Sequence, residues 1–153
     1  MPYSIDTSAF LDAWVRYYPV DVFPTIWQQM DKAARNGTLV ASDEVLRELE
    51  RKDDGAHEWM KARPEMNVAL DPDIERLMRD IMRRYPRLVD TKKGRSGGDP
   101  FVIAVAQHRK QTVITAENPT GRLGVPRIPD VCGDLGIPCI GMLKFFREQG
   151  WSL

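Results

Sequence analysis

Short apolar runs alternate with longer helical stretches along this chain, and that alternation is the strongest constraint on its fold. Residues 2–5 read as a strand that stops at Asp6-Thr7-Ser8. Thr7 or Ser8 is placed to cap a helix over Ala9 to about Tyr17, which Pro19 ends. Phe23 to Arg35 follows as a helix with Pro24 in its first turn and Asn36-Gly37 at its close. Thr38 to Ala41 is a short buried strand, after which Ser42 caps a helix to about Lys52. Helices are expected over Asp54 to Ala62 and from Asp71-Pro72 to about Tyr85, the second with Ile74, Leu77, Met78, Ile81 and Met82 at helical spacing. Residues 90–98 form a polar, glycine-rich loop. Asp99-Pro100 then opens the most apolar helix, Phe101 to Gln107, expected to be fully buried. Thr112 to Thr115 is a strand, Glu117 to Ile128 a loop, Asp130 to Leu135 a short helical piece, Ile137 to Gly141 a strand and Met142 to Gln149 a helix. Strands separated by helices imply a mostly parallel central sheet with helices on both faces, hence one α/β domain over residues 1–153.

A chain of 153 residues can bury a real core. Lys plus Arg equals Asp plus Glu at 22 each, which excludes nucleic-acid binding through overall positive charge but leaves room for a local basic patch. The two cysteines, Cys132 and Cys139, are too widely spaced for a CxxC redox motif and have no histidine cluster beside them to complete a zinc site. Free thiols fit a reducing, cytoplasmic setting. No apolar run approaches the roughly 20 residues of a membrane span, and the opening MPYSIDTSAF has no signal-peptide pattern.

In a parallel sheet, ligands bind beyond the carboxyl ends of the strands. Asp6 ends the first strand, and Glu117 lies just past the strand at Thr112 to Thr115. Asp99 opens the buried helix, and Glu48 sits on the helix after the second strand. Each also has a purely structural role open to it: Asp6 and Asp99 fit helix N-caps, and Glu48 fits a solvated face. Together, clustered carboxylates repel one another, so a folded chain tolerates them only with a cation or with raised pKa values.

The ordered set resembles PIN-domain nucleases over essentially the whole chain. Ser4-Ile5-Asp6-Thr7-Ser8-Ala9 is similar to their opening motif, a strand-end Asp with a small hydroxyl residue two positions on. Ser42 with Glu48-Leu49 resembles the second motif, a Ser-capped helix carrying a Glu. Asp99 before Phe101-Val102-Ile103-Ala104-Val105-Ala106 resembles the third, and Val113-Ile114-Thr115-Ala116-Glu117-Asn118 the fourth. The segment Arg127 to Cys132, with Ile137 to Ile140, resembles a PIN-like subgroup catalogued as a domain of unknown function. The fourth acid departs from the family, where Asp is usual; here it is Glu117, and Asp130 is a second candidate for that corner. Glu44 competes with Glu48, although the helical register favours Glu48.

The resemblance implies a three-layer PIN-like domain that binds Mg²⁺ or Mn²⁺ through Asp6, Glu48, Asp99 and Glu117, with Thr7, Ser8, Thr115 and Asp130 supporting the ligands. It implies a metal-dependent endoribonuclease, the toxin of a toxin–antitoxin pair, acting on RNA as a homodimer held by a cognate antitoxin. Lys92, Lys93 and Arg95 are placed to receive the phosphate backbone, or simply form a solvated loop. The apolar residues Trp14, Tyr17, Phe23 and Trp27 are the expected protein-contact region. The alternative is a PIN-like binding module without catalysis that acts through a partner. A haloacid-dehalogenase-like phosphatase would need a second Asp two residues after Asp6, and Ser8 stands there.

Overall fold

A computed structural model describes residues 2–52, 55–89 and 98–152. The first strand, β1 (Tyr3–Ile5), lies at the centre of a five-stranded sheet. It is followed by α1 (Thr7–Leu11), a π-helical continuation (Asp12–Tyr17) and α2 (Pro24–Arg35). Next come β2 (Leu39–Ser42), α3 (Asp43–Lys52), α4 (Ala56–Lys61), a 3-10 turn (Pro64–Met66) and β3 (Asn67–Val68). The second half runs α5 (Pro72–Arg84), α6 (Gly98–Arg109), β4 (Thr112–Ile114), α7 (Ile128–Leu135), β5 (Cys139–Ile140) and α8 (Met142–Gln149). The strand order is β3-β2-β1-β4-β5 and every pairing is parallel. The expected α/β architecture, with helices on both faces of a parallel sheet, is the one observed.

The strand order shows how the chain winds. It moves outward from β1 to β3, then returns beneath the sheet through α5 and α6 to place β4 on the other side of β1. Right-handed crossovers put the two sets of helices on opposite faces. Side chains alternate accordingly: the Tyr3 ring packs edge-on against Phe145 of α8, 4.8 Å between centroids, whereas the Ser4 hydroxyl donates to the Val102 carbonyl of α6 at 3.2 Å. Helix α6 is apolar all round because Phe101 to Ala106 are all buried. On the opposite face Phe10 is fully buried and ringed by Trp14, Trp27 and Trp59, with centroids 5.5 Å away for the last two.

Several expectations need correction. Trp27 is 3% exposed and belongs to this aromatic core, and Trp14 stacks on Phe10. The exposed apolar residues nearby are Val15, Tyr17, Val20, Val22 and Leu143. The helix after β1 has its expected extent but unwinds to π geometry from Asp12. Strand β3, two residues entered from a 3-10 turn, is too short to leave a sequence pattern. His108, near the end of α6, is exposed beside Asp71 and Asp73. The helix expected from Asp54 is described from Ala56.

Phe10 therefore anchors the first layer. Phe10→Ala is expected to lower unfolding free energy by about 3–5 kcal/mol, read from urea denaturation monitored by tryptophan fluorescence. A loss under about 1 kcal/mol would show that the aromatic cluster is peripheral to the core.

Candidate active site

The sheet reverses its order between β1 and β4, and a crevice opens beyond the carboxyl ends of strands at such a switch point. The Asp6 N–H donates to the Ile114 carbonyl at 2.8 Å, extending the β1–β4 ladder by one rung. Asp6 and Thr115 thus face each other across the end of the ladder. The Thr115 hydroxyl donates to Asp6 Oδ2 at 2.8 Å, and the Ser8 hydroxyl donates to the same oxygen at 2.5 Å. Ser8 Oγ in turn accepts from the Ala116 N–H at 3.1 Å, and Thr115 Oγ1 accepts from the Glu117 N–H at 3.1 Å. Asp6 occupies the N-cap position of α1, yet its side chain makes no capping hydrogen bond.

Asp6 is 4% exposed. Burial holds its carboxyl above the ordinary value of 3.8, although the Ser8 and Thr115 hydroxyls and the nearby N–H groups of Ser8 and Thr7 favour the charged form. Neither hydroxyl reaches Oδ1. Next door, Thr7 Oγ1 is buried and lacks a hydrogen-bond partner.

Asp99 arrives from the other face. It is 7% exposed and lies within the first turn of α6 rather than at its N-cap. Helix α6 leads into the amino end of β4, so its own start lies toward the carboxyl ends of the strands. From the Ser4–Val102 contact, Asp99 stands three residues back along α6, about 4.5 Å of rise. Asp6 stands two residues onward along β1, about 6.6 Å. Both steps lead to the same edge. Glu48 is half-buried on α3, which packs against α1, α6 and β2. The Ser42 hydroxyl accepts from the Val45 N–H at 3.4 Å and starts that helix. Glu44, the competitor to Glu48, pairs with Arg47 and Arg51 at 3.1 and 3.3 Å.

The two candidates for the fourth corner both bind backbone. Glu117 Oε1 accepts from the Ile128 N–H at 3.2 Å, at the positive end of α7. The Asp130 carboxylate accepts from the N–H groups of Thr120, Gly121 and Arg127, each at 2.9 Å, and from the Thr120 hydroxyl at 3.1 Å. These bonds hold its pKa below the ordinary carboxylate value, although burial opposes them. Lys92, Lys93 and Arg95 lie outside the described residues.

An open cleft of about 620 Å³ adjoins this edge, lined by Asp12, Thr115, Glu117, Asn118 and Cys139 among others. Asp12 and Cys139 line the cleft although neither is among the site residues expected from the sequence. Asp12 stands where α1 gives way to the π-helical turn, and no residue pattern announces that change. Among the described residues, Asp6, Glu48, Asp99 and Glu117 do not form a group with all ligand atoms within 4.8 Å of one another. Asp71, Asp73 and His108 do, on the surface.

The family model for "Domain of unknown function (DUF4411)" matches residues 3–153. The chain belongs to this family, a PIN-like one. No curated protein sequence matches it. Its fold is similar to the crystal structure of VapBC2 from Rickettsia felis bound to a DNA fragment from the promoter, with TM-score 0.56, 13% identity, and coverage of 92% of this chain and 98% of the other. It is also similar to FitAcB from Neisseria gonorrhoeae, with TM-score 0.50, 12% identity, and coverage of 90% and 96%. These likenesses fix the PIN-like fold. Among the described residues no helix is long and apolar enough to cross a membrane.

The raised pKa of Asp6 has a definite sign. Its folded form holds a proton more tightly than the unfolded form, so its contribution to stability is full below the unfolded value near 3.8 and is lost as pH rises through the folded pKa. Asp6→Asn, which keeps an oxygen for the two hydroxyls, is therefore expected to unfold at higher denaturant than the unaltered protein at pH 7 without divalent ions. The two midpoints should converge as pH falls toward 4. A lower midpoint for the variant at pH 7 would contradict the burial cost assigned to this carboxylate.

Proposed function

We propose that this PIN-like domain is a metal-dependent endoribonuclease whose site is built on Asp6, with Glu48, Asp99 and Glu117 as the other ligands of Mg²⁺ or Mn²⁺. One observation carries the reading. A carboxylate is buried at the switch point of a parallel sheet, its Oδ2 is fixed by two hydroxyls, and Oδ1 is left out of both bonds. The partnerless buried hydroxyl of Thr7 beside it fits a site whose polar complement includes an ion with its water shell. All four acids offer hard oxygen donors, which suit these ions.

When bound, the ion supplies a water of lowered pKa and a positive charge for the phosphodiester. The protein's own part is orientation. Thr115 and Ser8 lock the Asp6 rotamer, Asp99 brings negative charge from the opposite layer, and the Glu117 backbone N–H is held by Thr115. The basic sequence just before Asp99 (Lys92, Lys93, Arg95) is suited to the RNA backbone. The fold similarity to VapBC2 and FitAcB supports a toxin role with a cognate antitoxin; a homodimer and a cytoplasmic setting are further parts of this proposal. A second reading, a PIN-like binding module that does not cleave, draws on one feature: both acids near the fourth corner already accept backbone N–H groups.

Asp99→Asn tests the proposal. Asn is nearly isosteric, so the fold should persist, while the charge that holds a dication is gone. RNA cleavage with added Mg²⁺ or Mn²⁺ is expected to fall by about 10²-fold or more, with circular dichroism unchanged. Full activity in the variant would remove Asp99 from the site. Unaltered protein that binds Mn²⁺ yet cleaves no RNA across a broad pool would favour the binding module.

A further inference from the structure

Cysteines seven positions apart in sequence are brought into side-chain contact by the end of α7. Gly136 takes the left-handed conformation (φ 72°) that glycine favours, and the Ile137 N–H donates back to the Cys132 carbonyl at 2.9 Å. That turn folds the chain beneath the last turn of the helix. Two residues later Cys139 enters β5 opposite Val113. The Cys132 side chain is fully buried, whereas Cys139 is half-exposed and lines the cleft beside Thr115 and Glu117.

We propose that Cys132 and Cys139 are a peroxide-oxidisable dithiol in the cleft wall, with Cys139 the attacking sulfur and Cys132 the resolving one. The hydrogen bond between the two sulfurs is the dominant influence on both groups, pushing the Cys132 thiol up and drawing the Cys139 thiol down. Burial and the carboxylates of Asp6 and Glu117 oppose the lowering at Cys139. Cys139 is the sulfur that peroxide in the cleft can reach, and the buried Cys132 beside it is placed to resolve the product. In the first step the Cys139 thiolate attacks one oxygen of hydrogen peroxide. An S–O bond forms, the O–O bond breaks, and hydroxide leaves and takes up a proton to become water. In the second step the Cys132 sulfur attacks Cys139, an S–S bond forms, the S–O bond breaks and a second water departs with the Cys132 proton. Two thiols are oxidised to one disulfide, and one peroxide is reduced to two waters. This pairing stands apart from the nuclease reading, because it uses neither the metal nor RNA.

The test is intact-mass analysis of the native full chain after brief exposure to hydrogen peroxide. The expected result is a monomer lighter by the two hydrogens of an internal disulfide, about 2 Da, restored by dithiothreitol. Cys132→Ser should instead leave a dimedone-trappable sulfenic acid at Cys139. Cys139→Ser should leave Cys132 unreacted while the chain stays folded by circular dichroism. Wild-type protein that keeps both thiols under conditions that oxidise free cysteine would overturn the proposal, and that measurement needs no variant. Disulfides found only between chains, or equal reactivity of the two single variants, would overturn it too.

Discussion

The parallel pairing of β1 with β4 is the contact on which the rest of the structure depends. β1 is the first strand made and β4 arrives more than a hundred residues later, after the chain has built β2 and β3 and returned through α5 and α6. Such a long-range pairing has an entropic cost that local helices do not. The helix face that makes it worthwhile is α6, whose unbroken apolar run packs beneath β1, β2 and β4. Because the strand order reverses between β1 and β4, the helices leave the sheet on opposite faces there. Asp6 and Thr115 are the residues that the opening leaves at the strand ends.

Electrostatics then explains how the acids are distributed. A buried carboxylate loses hydration that hydrogen bonds only partly replace. Burial raises the pKa of Asp6 even though two hydroxyls donate to one of its oxygens. Asp130, with four donors and a half-buried position, has a lowered one. The contrast separates two uses of the same residue type. Asp130 closes the loop after β4, stitching Thr120, Gly121 and Arg127 to the start of α7. Asp6 instead accepts from Ser8 in α1 and from Thr115 just past β4, so its bonds join the ends of β1 and β4.

Much of this was legible in the residues. Proline at the second helix's start, Ser42 before α3 and Gly136 after α7 mark boundaries through local backbone chemistry, which a sequence displays directly. The place of Asp6 at the end of a strand was legible for the same reason. What was not legible depended on winding or on distant partners. The switch to π geometry at Asp12 shifts the register of Val15 and Tyr17 outward and leaves Trp14 against Phe10, so the aromatic residues split between core and surface in a way that helical spacing does not foretell. Strand β3 is defined by the pairing of Asn67 and Val68 with Ala41 and Ser42 of β2, a distant partner that its own two residues do not announce. The meeting of Cys132 and Cys139 is likewise a product of the α7–β5 turn rather than of their spacing.

Ser8 shows why the local motif takes the form it does. Its hydroxyl donates to Asp6 and accepts from the Ala116 N–H, joining the first turn of α1 to the end of β4 through one small group. Only a residue that both donates and accepts can fill that place. An aspartate there, as the phosphatase alternative requires, would offer no proton to Asp6 when ionised. It would also set a second negative charge against a carboxylate whose pKa burial already raises. A hydroxyl two residues after the strand-end acid is therefore matched to a site where the Asp6 carboxylate is held in one orientation with its second oxygen outside the hydroxyl pair, as the proposed ligand role requires. The same geometry disfavours a pair of acids that divide nucleophile and proton donor between them.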